Sequence, residues 1–362
     1  MSFQTVASVL LMGYVVVAFG RRYLPAKFSA DSAGIQRIAQ YGPGPFVDKS
    51  FTNMGVFYRE LGLTHREDLA GILGYTIAAV GLLTVAWRMR HTPARTAVVG
   101  VMIIATFFSA IYLGTYSKDV VVALVVLVVL WAPKGRPGSV VIVGVMALYA
   151  FFFRDYWYLV IVVYLSLSWL IVNRRKFARR HGLRRKHLLM LMIVIVAAIS
   201  LAIVVLSGVP ADYYRTTTNA ERALAPDAAT QIRPFLSAPE PFGSVINNVL
   251  TYLALMLPIP LAALGGAYYA VLAVMLGAVW AWFWTALKII TGDRHLPTHL
   301  VRAIALVLSF SAVQSVFEPD YGSALRHLTP LWPLILLTIW WAQGRSESDP
   351  LYAEIGASKT GH

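Results

Sequence analysis

Residues 173–187, NRRKFARRHGLRRKH, run into residues 188–208, LLMLMIVIVAAISLAIVVLSG, and this stretch decides the fold. The first part carries eight Lys/Arg and no acid; the second carries no charge at all. A helix needs about 20 apolar residues to cross roughly 30 Å of hydrocarbon, and residues 188–208 supply them. Dense Lys/Arg in a short connection holds that connection on the cytoplasmic side. The stretch therefore reads as a membrane helix entered from a cytoplasmic loop.

The pattern recurs along all 362 residues, which are 58% hydrophobic and only 13% charged, with a mean hydropathy of +0.66. Spans are expected at 4–20, 70–87, 96–114, 119–133, 139–153, 157–172, 188–208, 266–288, 300–317 and 331–343. Each must satisfy its own backbone, which a helix does and an open strand cannot. The expected fold is an all-α polytopic integral membrane protein of about ten transmembrane helices, with a single membrane domain over 1–342. A polar tail, 343–362, is expected to be disordered and cytoplasmic. Span 119–133 offers only about 22 Å at 1.5 Å per residue. The apolar run from Thr5 to Gly20 lacks a basic leader and reads as an uncleaved first helix.

Lys/Arg in short loops orient the chain: Arg88, Arg90 and Arg95; Lys134 and Arg136; the 173–187 run; Lys288, Arg294 and Arg302. These loops and both termini fall inside. Outer loops then comprise 21–69, 115–118, 154–156, 209–245 and 318–330. The segment 246–262 has two readings. If it spans, everything after it inverts; the Asn247-Asn248 start and Pro258-Ile259-Pro260 favour a re-entrant element instead.

The net charge of +14 reads as topogenic charge, and no base-reading or zinc motif points to nucleic acid. The absence of cysteine excludes disulfides, thiolate catalysis and Cys-ligated metals. No metal site is expected either: His181 and His187 sit among cations, and His295 and His299 read as loop residues. No Gly-rich phosphate loop or serine elbow occurs.

On this topology the outer face gathers polar residues at helix ends: Tyr116-Ser117-Lys118-Asp119, Arg154-Asp155-Tyr156-Trp157-Tyr158, Arg215 with Glu221, Arg222 and Arg233, and Glu318, Asp320, Arg326 and His327. Each has a structural reading alone. Asp119 suits a helix N-terminus, and Arg154 with its aromatic neighbours suits an interfacial belt. Together, cations on converging turns make a site for a doubly charged anion, since the guanidinium fork matches phosphate oxygens. A neighbouring carboxylate can accept a proton from an attacking hydroxyl. Tyr156, Trp157 and Tyr214 offer rings on which sugars stack.

The Tyr116-Ser117-Lys118-Asp119 turn resembles the "SK-acid" turn of bacterial polysaccharide polymerases of the Wzy type, the O-antigen and EpsG-like group. The Arg154-x-Tyr156 turn, the large late outer loop, and Asp320-Tyr321-Gly322 followed by Arg326-His327 and Pro330 are similar to features of that family. The long first outer loop departs from it. The resemblance implies a metal-independent, cofactor-free glycosyltransferase on the outer face of the bacterial cytoplasmic membrane. Such an enzyme moves a glycan from a polyprenyl pyrophosphate carrier onto a lipid-linked repeat unit, with a chain-length regulator protein as partner. It implies that Lys118, Arg154, Arg326 and Arg215 hold the pyrophosphate, that Glu318, Asp320 or His327 takes the acceptor proton, and that Tyr321 joins the sugar contacts.

Two rivals stay open. A GT-C-like polyprenyl-phosphate-sugar transferase, or a glycan ligase, would use an acid of the first long loop, Asp48 or the Glu67-Asp68 pair. A lipid-linked glycan transporter would need charge within the spans, where little is found beyond Gln314.

Overall fold

The computed structural model describes residues 3–25, 28, 30–44, 47–178, 185–221, 230–292 and 296–348. In chain order the helices are α1 (Phe3–Phe19), α2 (Ala30–Tyr41), α3 (Lys49–Glu60), α4 (Glu67–Arg88), α5 (Thr96–Tyr112), α6 (Val120–Trp131), α7 (Arg136–Phe152) and α8 (Trp157–Ala178). They continue with α9 (Arg185–Ser207), α10 (Tyr213–Glu221), α11 (Phe242–Met256), α12 (Ile259–Ala262), α13 (Ala267–Gly292), α14 (Thr298–Phe317), α15 (Tyr321–Leu328) and α16 (Trp332–Ser348). No β-strand occurs among the described residues, where Gln231 and Asp320 form an isolated bridge.

Among the described residues four helices are long and apolar enough to cross a membrane: Glu67–Arg88, Lys186–Ser207, Ala267–Thr291 and Thr298–Phe317. Helices α1, α5, α6, α7 and α11, and the stretch Trp157–Asn173 of α8, are apolar but shorter. Helix α6 is the extreme, VVVALVVLVVLW, 12 residues. Valine is a poor helix former in water, yet in apolar surroundings the helix is the one local way to pair every backbone group.

Helix α14 is the hub. Its residues from Leu300 to Val316 are all buried, as expected of a helix apolar on every side. Helices α6, α8, α9, α11 and α16 pack around it. Helix α9 is its opposite, with Met190, Val194, Leu201, Val205 and Leu206 exposed.

Several sequence expectations need correction. The first outer loop is largely helical: α2 and α3 pack on each other as a hairpin around Ile35, Met54 and Tyr58, which bury against Ala70 and Tyr116. The tail begins later than expected, since α16 continues to Ser348; residues 349–362 lie outside the described residues, as do 179–184 of the basic run. The segment 246–262 is α11 plus α12. It starts beside the 209–241 loop, where Asn247 Oδ1 accepts from the Phe235 and Leu236 amides, both at 2.9 Å. Past Pro258 it turns back to α13, which runs antiparallel to α5: Tyr268 lies in electrostatic reach of Tyr112, while Trp282 faces Gly100. Both ends of the segment therefore sit at one end of the bundle.

The shortness of α6 has a cost at the other end, because the last carbonyls of a helix have no partner within it. Two arginines supply the donors. Arg302, buried in α14, donates to Ala132 O (3.0 Å), Pro133 O (2.9 Å) and Gly135 O (3.2 Å), and Arg88 donates to Leu130 O. A cation at a helix C-terminus also meets the negative end of the dipole. The sequence reading of Arg302 as a loop-side charge is thus replaced by a buried clamp. Arg302→Met is expected to destabilise the protein by at least about 1–3 kcal/mol, the cost of an unpaired buried acceptor. Thermal unfolding of the solubilised protein, followed by size-exclusion chromatography, should show this loss, while the exposed Arg136→Gln should leave the midpoint unchanged.

Candidate functional site

The connection between α5 and α6 is pressed onto α4 by two glycines. A Cβ at Gly71 would lie 2.2 Å from Gly114 O, and one at Gly74 would lie 2.1 Å from Leu113 O. From α3, the Tyr58 hydroxyl donates to Ser117 O and accepts from Ser117 N, both at 3.1 Å. Lys118 and Asp119 are thereby fixed at the bundle end. Arg154 and Tyr156 lie on the turn between α7 and α8, where the Tyr156 ring stacks on Phe317 at 5.4 Å. Glu318 follows α14 directly. Asp320 then caps α15, accepting from Ser323 N at 2.8 Å, and α15 delivers Arg326 and His327 from its last turn.

These side chains converge on a cavity of about 1190 Å³, large enough for a sizeable ligand. Asp31, Lys118, Arg154, Glu318, Arg326 and His327 line its polar part, and Tyr156 and Tyr214 border it. Its other wall is apolar: Leu159 from α8, with Ala198, Ile199, Ala202, Ile203 and Leu206 from α9. Charge and hydrocarbon thus share one cavity along the helix that the bundle covers least.

The cluster is electrically balanced. Asp31 Oδ2 lies 2.7 Å from an Arg326 terminal nitrogen and 3.4 Å from Lys118 Nζ. Asp119 lies 3.6 Å from Arg326 Nε and 3.8 Å from an Arg154 terminal nitrogen. Burial acts against the Asp31 carboxylate, but Arg326 and Lys118 outweigh it and hold its pKa well below the usual range. Burial pulls Lys118 down to about 8 against the pull of Asp31. The Lys118 ammonium also stands 4.0 Å from the Phe51 ring centroid, in cation–π range.

His327 joins the two halves of the cluster. Its Nε2 accepts from Arg154 at 2.6 Å and from Arg326 at 3.3 Å. Guanidinium nitrogens only donate, so Nε2 is unprotonated and Nδ1 carries the hydrogen that goes to Glu318 Oε1. Burial and the cations Arg154, Arg326 and Lys118 keep the imidazole neutral, with its pKa well below 6.5. Burial pushes Glu318 up to about 7, and Asp320 adds to the rise while Arg154, Ser323 and Arg326 oppose it. Its Oε2 is buried without a hydrogen-bond partner.

Other expected site residues fall elsewhere. Asp320 is occupied as the α15 cap and does not line the cavity. Arg215 is buried among Thr251 Oγ1 (2.9 Å), Ser315 O (3.1 Å), Asn248 Oδ1 (2.9 Å) and Asp212 (3.5 Å), binding α10 and α11 to α14. Trp157 is core, packed on Tyr149 and Phe310. Tyr321 donates to Ala254 O at 3.4 Å. Asp48 does line the cavity, as the N-cap of α3. Glu67 accepts from Ser32 at the α2–α4 contact; Glu221 and Arg233 are exposed; Arg222 lies outside the described residues. Asp31 was missed in the sequence because it stands in a polar stretch of the first loop. Its signal was the spacing Ile35, Ile38, Ala39 behind it, an amphipathic helix.

Among the described residues no three His, Asp or Glu side chains gather to hold a metal ion. No protein-family model, curated protein or solved structure matches this chain.

Breaking a buried ion pair costs about 3–5 kcal/mol, because the surviving charge stays buried. Arg215→Met is therefore expected to lower thermal stability by that order through stranded Asp212, without weakening binding of inorganic pyrophosphate by the folded fraction. Differential scanning fluorimetry and titration calorimetry on one preparation separate the two effects.

Proposed function

We propose that this protein is a metal-independent polysaccharide polymerase that takes a glycan from a polyprenyl pyrophosphate carrier and joins it to a lipid-linked repeat unit. The observation that carries this reading is the meeting of three cations, Lys118 buried and Arg154 and Arg326 partly buried, with an apolar wall in a single cavity. Lys118, Arg154 and Arg326 suit the pyrophosphate, and the α8–α9 wall suits the first isoprene units of its lipid.

The charge distribution supports an outward site in a bacterial cytoplasmic membrane. Among the described residues the acids from Asp31 to Asp320 all belong to the cavity end of the bundle, and Glu347 in the last turn of α16 is the exception. The other described charges at the opposite end, including Arg88, Arg95, Lys134, Arg136, Lys288 and Arg345, are basic. By the positive-inside rule that end faces the cytoplasm.

In the reaction the acceptor hydroxyl attacks the anomeric carbon, its proton passes to Glu318, and the bond from that carbon to the pyrophosphate oxygen breaks with inversion. The carrier leaves as polyprenyl pyrophosphate, its new charge met by the three cations. Glu318 suits the base because its pKa lies near neutrality. His327 has no free lone pair for that task and acts by positioning Glu318 and both guanidiniums. Asp31, with 28% of its side chain exposed against 2% for Asp119, is the counter-ion that the pyrophosphate displaces.

Regularly spaced products from native polyprenyl-pyrophosphate oligosaccharides, made by the protein in lipid nanodiscs, are the expected outcome. Arg154→Ala and Arg326→Ala should each reduce turnover about a hundredfold or more, the usual loss for a donor that meets developing charge. Arg326→Lys should also be impaired, since an ammonium lacks the planar fork. Near-normal turnover in both alanine variants would overturn the pyrophosphate clamp.

Glu318 must be ionised to accept a proton, so turnover should fall as pH drops through about 7. Glu318→Gln, which still accepts from His327, should lose about 10²–10⁴-fold and flatten that limb of the profile.

The presence of Asp31 and Asp48 from the first loop around the cavity favours one second reading, a GT-C-like transfer from a polyprenyl phosphate sugar. Asp31→Asn separates the two. The polymerase reading expects tighter pyrophosphate binding with turnover kept within about tenfold, whereas a base role expects a loss of about 10²-fold or more. Transport gains nothing from the two strongly polar side chains buried in α14, since Gln314 is tied to Ala324 O and Arg302 to the carbonyls of residues 132, 133 and 135.

A further inference from the structure

Helix α4 runs for 22 residues beside α6, which has 12. Because α6 ends first, the two leave a groove at the end of the bundle opposite the cavity. The groove has a volume of about 470 Å³ and is lined by Val80, Leu83, Thr84, Trp87, Arg88 and Trp131.

Its walls are fixed in place. The Trp131 indole N–H donates to Thr84 Oγ1 at 3.2 Å, and Thr84 in turn donates to Val80 O at 2.7 Å. The Trp87 ring carries the Arg90 guanidinium 4.4 Å from its centroid, and Arg90 also donates to Trp87 O at 3.0 Å. Trp87 is 62% exposed and Trp131 58%, so both indoles face outward at an interfacial depth where such rings are favoured.

The head of the groove is positive. Arg88 reaches it, and Arg88, Lys134 and Arg302 act together electrostatically on His299. No carboxylate is among the residues that line the groove, and Glu347, in the last turn of α16, is the one acid among the described residues at this end of the bundle. Cations set over an apolar slot that lies between two indoles and is lined by no acid match one chemistry: a phosphodiester headgroup with a hydrocarbon chain below it.

We propose that this groove is a binding site for an anionic glycerophospholipid of the cytoplasmic leaflet. The phosphate meets Arg88 and Arg90, and one acyl chain lies on Val80 and Leu83 between Trp87 and Trp131. The site is separate from the cavity and stands whether or not the polymerase reading holds. It fills the hydrocarbon gap that the short α6 leaves, and it places a negative group beside the cations gathered there.

The test is native mass spectrometry of the full chain released from nanodiscs of equal phosphatidylglycerol and phosphatidylcholine. Wild-type protein is expected to retain phosphatidylglycerol at least about fivefold over phosphatidylcholine, roughly 1 kcal/mol of preference. Arg90→Gln and Trp87→Leu should each bring that preference to within about twofold; both spare Arg88 and so leave the α6 cap intact. A phosphatidylglycerol with a photoreactive acyl chain should crosslink to 80–87 or to Trp131. Equal retention of the two lipids by the wild type would overturn the proposal. So would an undiminished preference in both variants, or stronger retention of added polyprenyl pyrophosphate with crosslinks in the same groove.

Discussion

Three cations are held together where a membrane bundle meets its loops, and the rest of the site follows from the need to balance them. Arg154 and Arg326 stay charged at any accessible pH, and burying such groups unpaired costs several kcal/mol each. The protein meets this by drawing carboxylates from three separate parts of the chain: Asp31 from α2, Asp119 from the α5–α6 turn and Glu318 from the end of α14. Each contact ties a different element to the same point. The α2–α3 hairpin, three turns and α15 are therefore joined at this point by charge, in addition to the apolar contacts that seat them.

Balance of this kind also prepares the site for an anion. Asp119 is locked by a turn that two glycines let sink against α4, and Glu318 is held by His327. Asp31 is bound only by its ion pairs and by a helix resting on a small core of its own. On the proposed reading, an arriving pyrophosphate would meet cations already in place, with their cost of ordering met during folding. In the same reading the apolar wall of α9 would bring the lipid portion to that point from the side. A soluble phosphate could use the cations, but only a lipid-borne one uses the wall as well.

Much of the fold was legible. Long, predominantly apolar runs such as 188–208 and 300–317 give helices because hydrocarbon permits little else. Lys118, Arg154, Glu318, Arg326 and His327 were legible as a group because helix ends on one face must come near one another. Three things were hidden for definable reasons. Asp31 and the α2–α3 hairpin lie in a polar stretch whose helical pattern is short and has few apolar residues. Asp320 and Arg215 carry the right chemistry for the site, but capping and interhelix hydrogen bonding claimed them, which only tertiary contacts reveal. Arg302 looked like a loop charge because its partners, the carbonyls at 132, 133 and 135, are far away in sequence.

The central claim is that the cluster and the α9 wall together form one lipid-pyrophosphate site. A cryo-electron microscopy structure of the protein in nanodiscs with polyprenyl pyrophosphate tests it most directly. Both phosphates are expected within hydrogen-bonding distance of Lys118, Arg154 and Arg326, with Asp31 turned away and the isoprene chain along Ala198, Ala202 and Leu206. Phosphates bound away from these three cations, or a lipid leaving along another helix, would contradict it.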